Sequence, residues 1–385
     1  MSRRTDSAKT VAALVALVLV LGLASGADPA TSQEGDTGGQ TDAGVALDAP
    51  KLQTKSWALT DADTGLYLVG KNPDERLPIA STTKVMVALV ALEEGVDLDE
   101  EVTISKEAER FVGFTFSNVG LIAGERLSVR DLLVATLVPS GTEAVYALAE
   151  HLGDGSVERF VQKMNAKASG MGLKNTHFED PAGLDAEGHY SSARDLAAIT
   201  RAAMGYPAFA EIVGMQEATI ETQDREIEVF NTNELLFTYP EATGVKTGTS
   251  PEAGPSLIAS AKEGEEAYIA VVLDAESEDY RFEGAQVALG YGFESFDRRP
   301  LVREGKVYEE SPLPYRRGES VGLAAEEDVL GLAGPDLETE RRITENEPPP
   351  AARAGQQLGT VELLVDGQSI GSTPLVTQRG YEEAS

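Results

Sequence analysis

Apolar positions in this chain change their period from one stretch to the next. Ser56-Trp57-Ala58-Leu59-Thr60 and Leu66-Tyr67-Leu68-Val69 flank Asp61-Ala62-Asp63-Thr64-Gly65. Alternation on both sides of a glycine-ended turn predicts a β-hairpin. Residues 85 to 90 are then apolar without a break, with Ser81 ahead of them and Gly95 behind. That predicts a buried helix from Ser81 to about Glu94. Helical spacing returns at 132–138 before Pro139, at 143–152, at 156–169 and at about 192–204, with Ser128/Asp131 and Ser192/Asp195 at the spacing of N-cap pairs. Period two reappears at 218–221 and 226–230, around Gln223-Asp224-Arg225, as a second hairpin. Strands are expected at 245–249, 256–261 and 267–273. The last, with Tyr268-Ile269-Ala270-Val271-Val272-Leu273, is apolar at every position and is expected to be buried on both faces. A helix at 281–291 closes this region. Beyond it, short runs punctuated by Gly and Pro, ending in Val361-Glu362-Leu363-Leu364-Val365, predict a small β domain. Strands, a helical middle and strands again make an α+β chain.

Arg3, Arg4 and Lys9 precede an apolar run from 11 to 24 and then Ser25-Gly26-Ala27. This is the pattern of a secretory signal peptide cut after Ala27. An uncleaved N-terminal anchor is the competing reading, although the run is short for a full span. Residues 28–50 have little apolar surface to bury and are expected to be a disordered linker. The expected division is 1–27 signal, 28–50 linker, 51–296 main domain, 297–380 small β domain and 381–385 tail. The tail, with no apolar face or basic edge, suggests no C-terminal membrane anchor. Acidic residues number 64 against 32 basic ones, a formal charge of -32. So acidic a chain lacks the basic footprint that nucleic acid requires. It has no cysteine, which excludes disulfides and thiol catalysis. Its three histidines, His151, His177 and His189, form no H-E-x-x-H pattern. His177 and His189, with Asp180 and Asp185 between them, read as loop packing, and no metal or cofactor is expected.

Candidate chemistry gathers at Pro78-Ile79-Ala80-Ser81-Thr82-Thr83-Lys84. In a helical turn, positions i and i+3 share one face, which puts the Ser81 hydroxyl beside the Lys84 ammonium. A serine hydroxyl needs an adjacent base, and a lysine serves as one only if its pKa is lowered toward neutrality. Ser140-Gly141-Thr142, after an apolar segment and a proline, offers a second hydroxyl for the same cleft. Lys246-Thr247-Gly248-Thr249 offers a charge and hydroxyls for a substrate carboxylate, with a glycine that lets a ligand lie close to the strand. Phe111, Phe114 and Phe116 fit either ordinary core packing or a wall against a substrate.

In this order and spacing the three stretches resemble the signature of penicillin-binding proteins and serine β-lactamases. Intervening text narrows the resemblance. Asn72-Pro73-Asp74-Glu75-Arg76, Asp180-Pro181-Ala182-Gly183-Leu184, His189-Tyr190-Ser191-Ser192-Ala193-Arg194-Asp195-Leu196, Asn231-Thr232-Asn233 and Tyr291-Gly292-Phe293 resemble the low-molecular-mass, serine-type D-alanyl-D-alanine carboxypeptidases. The resemblance implies a β-lactamase/transpeptidase-like α+β domain, an antiparallel sheet flanked by helices with a helical lobe, plus a small C-terminal β domain. It implies Ser81 as nucleophile, Lys84 as its base and Ser140 as proton relay. It further implies Thr142, Lys246, Thr247, Gly248 and Thr249 at the substrate, with backbone N–H groups of Ser81 and Thr249 as the oxyanion hole. Implied substrates are peptidoglycan stem peptides ending in D-Ala-D-Ala, and β-lactam antibiotics would acylate the same serine. One departure stands out: the family usually has asparagine where this chain has Thr142, a shorter side chain with a single hydroxyl. A class A β-lactamase would carry Ser-Asp-Asn and an E-x-x-L-N loop, and neither occurs. A DD-endopeptidase, a transpeptidase and a catalytically impaired wall-binding protein remain open.

Overall fold

Strand β1 (Thr54–Asp61) and β2 (Tyr67–Lys71) form the first hairpin, with a bulge between Leu59 and Thr60. The computed structural model describes residues 48–383 other than 114 and 315, so the expected signal peptide and all but the end of the linker lie outside the described residues. The predicted helix at Ser81 divides in two. Ala80–Thr83 is a 3-10 turn, and α1 (Lys84–Glu93) follows. Ala80 sits at φ 44, and Thr82 ties back to the Ile79 carbonyl through both its N–H and its hydroxyl, which tightens the turn ahead of the α-helix. Every residue of α1 from Lys84 to Ala91 is buried, as a helix apolar on all faces must be.

The helical lobe follows. It contains β3 (Glu101–Thr103), α2 (Lys106–Glu109), β4 (Arg126–Ser128), α3 (Val129–Leu137), α4 (Thr142–Leu152), α5 (Val157–Gly170), α6 (Ala193–Met204) and α7 (Pro207–Val213). Ser128, Ser156 and Ser192 each accept a hydrogen bond from the N–H three residues on, capping α3, α5 and α6. The chain then makes the hairpin of β5 (Glu217–Glu221) and β6 (Glu226–Phe230), the short α8 (Leu235–Thr238), and strands β7 (Ala242–Gly248), β8 (Ser256–Glu263) and β9 (Glu266–Ala275). Helix α9 (Glu278–Ser295) starts three residues earlier than expected because Ser277 caps it.

Strand order in the main sheet is β2-β1-β9-β8-β7, antiparallel throughout. The uninterrupted apolar run of β9 divides between two cores. Ile269, Val271 and Leu273 join the core with the helical lobe, whereas Tyr268, Ala270 and Val272 join the core beneath α9. Strand β7, at the edge of the sheet, meets the 3-10 turn at Gly248. Beyond α9, β10 (Asp297–Val302) pairs with β13 (Val329–Ala333). A second antiparallel sheet, β11-β12-β16-β15-β14, is built from β11 (Val307–Pro312), β12 (Ser320–Ala325), β14 (Thr339–Glu345), β15 (Gln357–Val365) and β16 (Gln368–Thr377). It has its own core around Leu323, Val361, Leu363 and Leu375. The α+β unit with a second, all-β region is thus the fold the sequence predicts.

Candidate active site

Two segments distant in sequence, 81–84 and 140–142, meet at one buried ammonium. Lys84 opens α1 with no exposed surface, and its Nζ donates to Ser81 Oγ at 3.2 Å, to Ser140 Oγ at 3.1 Å and to the Ser140 carbonyl at 2.7 Å. Burial pulls its pKa from 10.5 down to about 7, against the opposing pull of Glu143 and Asp180. Ser81 itself stays partly open to the cleft. Ser140 sits at φ 69, a conformation a serine adopts only when its surroundings enforce it. Here Gly141 N–H donates to Ala135 O at 2.7 Å and Thr142 N–H to Ser117 O at 2.8 Å, fixing both flanks. Thr142 is buried as the first residue of α4.

Strand β7 supplies the opposite wall. Lys246 is almost wholly buried, and burial first, then Lys84 and Arg281, hold its pKa well below the ordinary lysine value. Its Nζ donates to Thr247 O at 3.1 Å, and Thr247 Oγ1 meets Thr232 Oγ1 at 2.6 Å. Gly248 ends the strand against the nucleophile turn. A Cβ there would lie 2.9 Å from Ile79 O and 3.2 Å from Ser81 N, so a side chain would push β7 off the turn. Thr249, one residue past the strand, accepts a hydrogen bond on its hydroxyl from Arg281 Nη1 at 2.7 Å.

Sequence reasoning missed three participants. Arg281 of α9 lies 35 positions beyond Lys246 (281 minus 246) and on another element, with no local pattern to mark it. Thr232 and Glu143 had weak signals at best, an Asn-Thr-Asn string and a position beside Thr142. The histidines are spent on structure. His189 Nε2 meets Thr83 Oγ1 at 2.8 Å while Nδ1 accepts from Glu179 N–H at 3.2 Å, and His177 Nδ1 bonds the Gly188 carbonyl at 2.9 Å. Asp180 receives the N–H groups of Ala182, Gly183 and Leu184. Phe111 stacks on Tyr146 at 4.0 Å and meets Phe116 edge-on at 5.5 Å. Phe114 lies outside the described residues.

This sheet and helical lobe, with serine and lysine at their seam, define the class of acyl-serine transferases to which penicillin-binding proteins belong. Comparison with known proteins narrows that class. Residues 43–277 match the D-alanyl-D-alanine carboxypeptidase family model, and residues 296–383 match the C-terminal domain of penicillin-binding protein 5. The chain belongs to the D-alanyl-D-alanine carboxypeptidase family. It is 34% identical to D-alanyl-D-alanine carboxypeptidase DacF of Bacillus subtilis over 342 residues, covering 86% of this chain and 87% of that one. The crystal structure of the Streptomyces K15 DD-transpeptidase superposes with a TM-score of 0.62 at 36% identity, over 64% of this chain and 99% of that one. D-alanyl-D-alanine carboxypeptidase DacD of Francisella tularensis, at 24% identity, shares the fold over 90% of this chain and 98% of its own, with a TM-score of 0.70.

Proposed function

We propose that this protein removes the terminal D-alanine from peptidoglycan stem peptides through an acyl-serine formed on Ser81. The observation that carries the reading is the Lys84 ammonium, buried, depressed to about 7 and within hydrogen-bond reach of both Ser81 and Ser140. Neutral Lys84 takes the Ser81 proton as Oγ attacks the carbonyl between the two D-alanines. Backbone N–H groups of Ser81 and Thr249 receive the developing oxyanion. Ser140 passes a proton to the departing amine, the C–N bond breaks, and D-alanine leaves. Water then cleaves the ester and returns the proton to Ser81. Lys246, Thr247 and Thr249, with Arg281 behind Thr249, bind the terminal carboxylate. Gly248 lets the peptide lie against β7, and Thr142 faces its backbone. β-Lactams, as strained amides with the same carboxylate, acylate Ser81.

An exported protein fits this substrate. The N-terminal pattern at 1–27 supports export, and among the described residues no helix is long and apolar enough to cross a membrane. The proposed division is a catalytic domain at 51–296 and a β domain at 297–380. The test is release of D-alanine from a synthetic peptide ending in D-Ala-D-Ala, with Ser81→Ala as control. Release that disappears in the variant is expected, and equal release from both proteins would remove Ser81 from the mechanism. The relative named a DD-transpeptidase favours a second reading, in which an amine replaces water as acceptor. A cross-linked product on adding an amino acceptor would establish it.

A further inference from the structure

Between β6 and α8 the chain runs through Asn231-Thr232-Asn233, and both asparagines are buried. Asn231 is fixed to the segment after α7: its N–H donates to Gln216 O at 2.8 Å and its Nδ2 to Met215 O at 2.8 Å. Its Oδ1 accepts the Asn233 N–H at 2.9 Å, and Asn233 Oδ1 accepts the Leu235 N–H at 3.2 Å. The two side chains thus bind backbone on either side of Thr232 and hold it between them. Thr232 in turn reaches both halves of the site. Its N–H donates to Val138 O at 3.2 Å, two residues ahead of Ser140, and its Oγ1 lies 2.6 Å from Thr247 Oγ1 on β7. Thr247 is itself buried, which leaves its hydroxyl little access to water.

Counting hydrogens assigns the direction of that contact. Each hydroxyl carries one hydrogen and can accept others on its lone pairs, whereas an ionised carboxylate only accepts. When Thr247 binds the terminal carboxylate, its single hydrogen must go to the ligand. Nothing is then left for Thr232, so the hydrogen between the two hydroxyl oxygens must belong to Thr232. A hydroxyl that already accepts a bond is polarised toward donating one, and a bond donated to an anion is the stronger kind. We infer that Thr232 is a positioning residue for carboxylate recognition: it donates to Thr247 Oγ1 and thereby aims the Thr247 hydrogen at the ligand. Its backbone tie to Val138 links that orientation to the segment bearing Ser140. The inference rests on the reading that Thr247 binds the carboxylate.

The test compares acylation by benzylpenicillin with acylation by its methyl ester, which lacks the carboxylate charge, as second-order rate constants measured by competition with a fluorescent penicillin. Wild type is expected to prefer the acid. Thr232→Val, which keeps the shape and removes the hydroxyl, should reduce that preference roughly fivefold. Thr232→Ser, which keeps the hydroxyl, should retain it. Both rates come from one sample, so a smaller folded fraction or a general loosening lowers them alike and cancels in the ratio. Should Thr232→Val fail to fold, Thr232→Ala carries the same expectation. Thr247→Val should lose at least as much preference, and the double variant no more than Thr247→Val alone, because Thr232 acts through Thr247. A double variant that falls by the product of the two single effects would make Thr232 an independent ligand contact and overturn the inference. So would a wild-type preference in Thr232→Val when Thr247→Val has lost it. A wild-type preference in Thr247→Val would instead overturn the carboxylate role of Thr247, and the inference with it.

Discussion

At the residue scale, the chemistry depends on lysines the fold keeps away from water. A lysine with a folded pKa near 7 is neutral in a large fraction of molecules at physiological pH, which is what a base for Ser81 needs. Acylation by a β-lactam should therefore rise as pH increases through about 7, in stopped-flow rates. Lys84→Ala should lose acylation while keeping its circular dichroism. The same shift has a stability consequence. Between about 7 and 10.5 the unfolded chain holds a proton on Lys84 that the folded chain has lost, so this residue's contribution to stability improves with pH across that window. Arg281 is a residue-scale claim of another kind. Its guanidinium sits on Thr249 Oγ1 and beside Lys246, so Arg281→Ala should raise KM for the D-Ala-D-Ala peptide about tenfold or more. A KM unchanged by that substitution would remove it from carboxylate binding.

At the element scale, the site depends on how closely two elements approach the nucleophile turn. Strand β7 presses on it at Gly248, and the 180–184 loop presses at Gly183, where a Cβ would fall 1.8 Å from Ala80 O. Both contacts are with backbone, which cannot move aside as a flexible side chain does. Gly248→Ala should therefore displace β7 from Ser81. Such overpacking costs roughly 1–3 kcal/mol of stability. Its larger effect should be on catalysis, a loss on the order of 100-fold in acylation, because displacement by about an ångström is enough. Thermal melting set beside acylation rates would check this, and a fully active variant would refute it. Most elements were legible because caps and periods are local: Ser128 and Ser192 cap their helices where such signals predict. The nucleophile turn was not: its 3-10 geometry at Ala80–Thr83 goes with close contacts from β7 and the 180–184 loop as well as with the local Thr82 bonds.

At the scale of the whole molecule, the all-β region is attached to the main sheet through a buried ion pair. Arg298, at the start of β10, bonds Asp61 at the end of β1 and lies 3.0 Å from Asp63. Asp61 is fully buried, and Gln368 Nε2 donates to Thr64 O at 2.8 Å on the same turn. Removing the arginine leaves the buried Asp61 carboxylate without its cation, held only by the Thr64 N–H and hydroxyl among the described residues. Arg298→Ala should cost about 3 kcal/mol or more in denaturant unfolding. It should leave Ser81 acylation intact in the fraction that remains folded, since the pair is remote in sequence and element from the Ser81 turn. A variant as stable as wild type would mean that the junction is held elsewhere.

Local order in the chain was enough to determine the α+β layout, the burial of β9 on both faces, and the three stretches bearing Ser81, Ser140 and Lys246. Those features follow from residues near one another along the chain, through period, capping and spacing. Tertiary structure alone decided how far the Lys84 pKa falls, that Arg281 reaches Thr249, and that Ser140 is held at φ 69. Each depends on desolvation and on contacts between segments tens to hundreds of residues apart, quantities that no local pattern of residue types encodes.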